Sequence, residues 1–65
     1  QHVAFSVEDI GGVVAKLAAE GLEPVLEYEF ETRQGGRSFR VQEVYLNTAE
    51  YIGGSTVQLI EITPL

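Results

Sequence analysis

Sixty-five residues suffice for one small domain, but a chain of this size buries only roughly 60% of the surface it exposes when unfolded, so its core is thin. It has no cysteine and no Cys/His spacing of a structural zinc knot, so nothing covalent or metallic staples that core, and 45% hydrophobic residues point to a partner surface instead. Ten Asp and Glu against four Lys and Arg give a formal net charge of −6, which disfavours nucleic acid, and no run approaches the roughly 20 apolar residues that a membrane span needs.

The chain opens on Gln1-His2-Val3, already inside a strand pattern, and contains no methionine, so it reads as a fragment of a longer product, 1–65 forming a single unit of it. His2 to Val7 alternates, with Val3, Phe5 and Val7 on one face and His2, Ala4 and Ser6 on the other, the period-2 signal of a half-buried strand. Ile10, Val13, Val14, Leu17 and Ala18 then recur at helical spacing, and the helix is expected to cover the apolar face of that first strand. Ser6 or Asp9 supplies its N-cap, Gly11 and Gly12 weaken the first turn unless a neighbour approaches closely, and Gly21 with Pro24 ends it.

Val25 to Glu31 predicts a second strand, with Leu26, Tyr28 and Phe30 on one face and Glu27, Glu29 and Glu31 on the other. Like charges about 7 Å apart on a strand mark solvent or a protected edge rather than an acid cluster. Gln34-Gly35-Gly36-Arg37 provides a tight hairpin. Arg33, Arg37 and Arg40 gather around it, either as a solvated tip or as a cationic lip for an anionic ligand.

Ser38 to Leu46 is the third strand, in which the apolar phase slips. Phe39 and Val41 share parity with Tyr45, whereas Val44 and Leu46 take the other, so either a bulge interrupts the strand or both faces are covered. A loop over 47–54 leads to a fourth strand, Thr56 to Ile62, closed by Pro64. The expected class is α+β: a βαβββ unit with a mixed four-stranded sheet and one helix on its outer face.

Two stretches carry a family resemblance. The first is His2-Val3-Ala4-Phe5-Ser6-Val7-Glu8-Asp9-Ile10 followed by Ala18-Ala19-Glu20-Gly21. The second is Val44-Tyr45-Leu46-Asn47-Thr48, then Gly53-Gly54, then Thr56-Val57-Gln58-Leu59-Ile60-Glu61. In order and spacing they resemble the opening and closing strands of a module of the vicinal-oxygen-chelate superfamily of glyoxalases, bleomycin-resistance proteins and dioxygenases, near its glyoxalase-like or methylmalonyl-CoA epimerase-like branch.

The resemblance implies that this chain is half of a cup, completed by a second βαβββ module from the same chain or from another copy in a homodimer. It also implies a divalent metal (Zn, Ni, Co, Mn or Fe) inside the cup, with His2 as first-strand ligand and Gln58 at the last-strand position. That position is usually Glu, and an amide oxygen brings no negative charge, so Gln58 weakens the site and removes a possible general base. Glu61 has the opposite parity to Gln58 and should face away, while the phase slip leaves the direction of Glu43 open. No general base is named from the sequence.

Read on the residues alone, a lone His beside a chain end is more often exposed than ligating. With the resemblance, the leading expectation is a cytoplasmic metal-dependent lyase, isomerase or epimerase acting on a small vicinal-oxygen substrate, the metal serving as Lewis acid and template. The alternative is a metal-free cup that sequesters an apolar small molecule, as bleomycin-resistance proteins do, and Gln58 favours it. A third is a structural module that pairs with an active neighbour.

Overall fold

Alternation, a capped amphipathic stretch and a two-glycine turn build the same five elements in the computed structural model, which describes residues 2–48 and 54–65, without the side chain of His2. They are β1 (His2–Ser6), α1 (Ile10–Ala19), β2 (Pro24–Gln34), β3 (Arg37–Leu46) and β4 (Thr56–Pro64). The strands form one sheet in the order β1-β4-β3-β2. β1 runs parallel to β4, and the β4–β3 and β3–β2 pairs are antiparallel. The fold is therefore α+β, a mixed four-stranded sheet with one helix.

The helix starts where two carboxylates meet its free N–H groups. Asp9 is the N-cap, its Oδ1 accepting from Gly12 N at 3.1 Å, and Glu61 of β4 reaches across to accept from Ile10 N at 3.0 Å. Both acids also oppose the positive end of the helix dipole. A Cβ on Gly12 would collide with the Asp9 carboxylate, so the cap itself is the close neighbour that a glycine there accommodates. At the other end Gly21 N donates to Ala18 O and Leu22 N to Leu17 O, closing the last turn.

In the β2–β3 hairpin Gly35 (φ 58°) and Gly36 (φ 78°) both adopt the left-handed backbone of a type I′ turn, and pairing continues up to Gln34 and Arg37. β2 accordingly runs on to Gln34 instead of stopping at Glu31, because a two-residue turn keeps its flanking residues hydrogen-bonded. Arg33 and Arg37 are exposed, and Arg40 lies 3.8 Å from Glu29 across the pair, so the arginines sit on a solvated hairpin. Glu27, Glu29 and Glu31 are exposed as well.

The phase slip of β3 has its explanation in burial. Register along β3 is continuous on both sides, and the one irregularity among the described pairings lies in β2, between Pro24 and Leu26. β3 carries buried residues on both faces: Val44 and Leu46 in the core under α1, and Val41 on the opposite face, flanked by Phe30 and Ile62 of the adjoining strands.

Ile10, Val44, Leu46 and Leu59 form the core, with Val7, Val13, Val14, Leu17 and Val57 packed against it. One expectation fails here. Val7 joins the core, but Val3 and Phe5 remain 44% and 52% exposed. The helix connects the two edge strands β1 and β2, so it lies over the central pair β4 and β3 and leaves β1 largely bare.

Two side chains fasten the connections. Asn47 Oδ1 accepts from Glu23 N at 2.8 Å and its own N–H donates to Glu23 O, tying the α1–β2 link to the end of β3. The buried Thr48 hydroxyl accepts from Val57 N at 2.8 Å and donates to Ser55 O at 3.2 Å, drawing the two ends of the β3–β4 loop together. Residues 49–53 of the expected glycine loop lie outside the described residues. Among the described residues, no helix is long and apolar enough to cross a membrane.

Candidate functional site

The sheet face opposite α1 has no layer over it, and strand register decides what gathers there. One row across the sheet is Ala4, Gln58, Tyr45 and Leu26, and the next is Ser6, Ile60, Glu43 and Tyr28. Side chains two apart on a strand share a face, so Gln58 and Glu43 are diagonal neighbours on the two central strands.

Gln58 is only 6% exposed, and its Nε2 donates to Glu43 Oε1 at 2.8 Å. The Tyr45 hydroxyl makes a longer contact of 3.5 Å to the same oxygen. Behind it, the Tyr45 ring meets Tyr28 edge to face, with centroids 6.3 Å apart and planes at 87°, a favoured aromatic geometry. Desolvation at this half-buried position, then the adjacent Glu43 carboxylate, push the Tyr45 phenol above the ordinary tyrosine value of 10.0.

On the β1 side of this cluster stand Ala4 and Ser6, whose short side chains leave room beside Gln58. The backbone pairs His2 with Thr56 and Ala4 with Gln58, so positions 2 and 58 share one parity on adjacent strands. The His2 side chain, named above as the first-strand ligand, lies outside the described ones. Farther toward the hairpin the same face becomes apolar. A shallow groove of about 290 Å³ there is lined by Thr32, Gln34, Phe39, Val41 and Ile62, and Leu26, Tyr28 and Phe30 stand exposed along β2.

The direction of Glu43, left open by the phase slip, is opposite to that of Glu61. Glu43 lies on the open face with Gln58, while Glu61 faces the helix and caps it. A second cleft, of about 270 Å³, lies on the helix side between Ile10, Gly11 and Val14 and the strands bearing Glu27, Glu29 and Gln42. Gln58 is not among its described lining residues.

Among the described residues, no group of three or more His, Cys, Asp or Glu side chains is placed to hold a metal ion. What the open face offers a cation is a pair: a neutral amide oxygen from Gln58 with the Glu43 carboxylate beside its nitrogen. That donor set fits an oxygen-tolerant divalent ion whose remaining ligands come from elsewhere.

The chain matches no family model, no curated protein and no solved structure.

The Glu43–Gln58 bond and the Tyr45–Tyr28 contact are absent from the sequence reading. Parity held a usable signal, since Glu43 and Tyr45 are two apart on one strand. The slip between Val41 and Val44 obscured it.

Proposed function

We propose that this chain is one βαβββ half-module of the vicinal-oxygen-chelate type. In this reading the open sheet face forms half of a divalent-metal site for lyase, isomerase or epimerase chemistry on a small oxygenated substrate, in the cytoplasm. The observation that carries the proposal is the hydrogen-bonded pair of buried Gln58 and half-buried Glu43 on a sheet face with no covering layer. The pair is satisfied by its own hydrogen bond, and it sets an amide and a carboxylate in the middle of a face that a second module or a ligand can reach.

His2 and Gln58 would be this chain's ligands, on neighbouring strands and at one parity. When bound, the ion supplies Lewis acidity and a template for two vicinal oxygens. The chain's own residues do the rest. Glu43 is the carboxylate of the described residues on that face, and in this reading it would be the group that moves a proton. The exposed Leu26, Tyr28 and Phe30, with the groove at Phe39, Val41 and Ile62, provide an apolar wall for a substrate or for the second module, from the same chain or from a second copy.

A metal-free sequestering cup is the second reading, favoured by the neutral amide at Gln58 and by that apolar groove. Metal content after gentle purification separates the two. The first reading expects a stoichiometric divalent ion that falls away in His2→Ala and Gln58→Ala. A wild-type protein without metal, whose stabilisation by small aromatic ligands ignores a chelator, establishes the second.

A further inference from the structure

From the Gln58–Glu43 geometry we infer that Glu43 is the positioning residue that decides which end of the Gln58 amide faces the metal. This inference rests on the metal reading above and adds a reason for glutamine at that position.

A glutamine has one end that can ligate and one that cannot. Its carbonyl oxygen has lone pairs to give, and its NH₂ group offers only protons. The two ends differ by a half-turn of the terminal torsion, so an unrestrained amide presents the wrong end part of the time. An ionised carboxylate is an acceptor only, so Glu43 Oε1, at 2.8 Å from Nε2, accommodates the amide in one orientation and excludes the other. The amide oxygen is then the end left for a cation. The restraint is firm because Gln58 is buried on a central strand, and because Tyr45, braced edge to face on Tyr28, also contacts Glu43 Oε1.

The same pair accounts for the charge. With glutamine at 58, the negative charge of the pair sits on Glu43, one hydrogen bond away from the amide. A glutamate at 58 would set two carboxylates within hydrogen-bonding distance of each other, and the proton such a pair retains would have to be displaced by the ion, which offsets the added ligand charge. Glutamine at 58 and glutamate at 43 therefore form one unit, and the unit should function with the two residue types exchanged.

The test is Co²⁺ affinity of the protein, read by visible absorption titration, with far-UV circular dichroism as a check on folding. Outer-shell partners of metal ligands typically change affinity by about 10- to 100-fold. Glu43→Gln should weaken Co²⁺ binding by at least about tenfold on that scale, and Gln58→Glu alone should bring no gain. The exchange Glu43→Gln/Gln58→Glu should recover most of the wild-type affinity, with the amide now donating from position 43. Wild-type binding with an unchanged Glu43→Gln affinity, or an exchange variant as weak as the single ones, overturns the positioning role and leaves the metal reading standing. A wild type with no Co²⁺ affinity removes both.

Discussion

Glu61 and Gln58 stand three residues apart on β4 and face opposite ways, so a substitution at Glu61 should cost stability and leave the open face untouched. Its Oε1 accepts from Ile10 N at 3.0 Å across 51 residues of sequence, and it is both a helix cap and a tie from α1 to β4. A hydrogen bond to a charged group contributes about 1.5–3 kcal/mol, and water can partly replace this one because Glu61 is half-exposed, so Glu61→Ala should cost about 1–2 kcal/mol.

Glu61→Gln keeps an acceptor and loses mainly the charge at the helix end, about 0.3–1 kcal/mol. A domain of this length is stable by about 3–10 kcal/mol, taking roughly 0.05–0.15 kcal/mol per residue, so the alanine variant should lose a measurable fraction. Urea denaturation followed by far-UV circular dichroism should rank wild type above Glu61→Gln above Glu61→Ala. Co²⁺ affinity should be alike in all three. A Glu61→Ala variant as stable as wild type, or one that loses metal affinity as Gln58→Ala does, would refute the capping role of Glu61.

Thr48→Val is nearly isosteric, yet it strips Val57 N of its acceptor and Ser55 O of its donor at a buried position, and should cost about 1–3 kcal/mol in the same denaturation experiment. Tyr45 makes a prediction at high pH. Its folded value is raised above 10.0, so the folded state holds that proton more tightly than the unfolded one. The stability it contributes is full below pH 10 and declines as pH rises through 10 toward the folded value. A phenolate difference titration of wild type against Tyr45→Phe should give a midpoint above 10.0, and Glu43→Gln should lower it; a midpoint indifferent to Glu43 would refute the part of the shift assigned to that carboxylate.

Element identity was legible because it depends on neighbours in sequence. The alternation of Leu26, Tyr28 and Phe30 against three glutamates, the helical spacing of Ile10, Val13, Val14 and Leu17, and the Gly35-Gly36 turn each specify backbone geometry within a few residues. The segment boundaries at β2 and the choice of Asp9 over Ser6 as cap needed hydrogen bonds to be seen. The covering of Val3 and Phe5 was misjudged, since local periodicity says that a face is apolar and not which element lies on it.

The sequence by itself determined the order of strands and helix, the sidedness of each strand, and the opposition of Glu61 to Gln58, all consequences of period-2 and period-3.6 backbones. Tertiary structure alone decided the strand order β1-β4-β3-β2, which brings Ala4, Gln58, Tyr45 and Leu26 into one row. It also decided that the slip in β3 means burial of both faces, and so that Glu43 meets Gln58. A contact between residues 15 positions apart depends on which strands pair and in what register, and that is fixed by the packing of the whole sheet under α1 rather than by any local pattern.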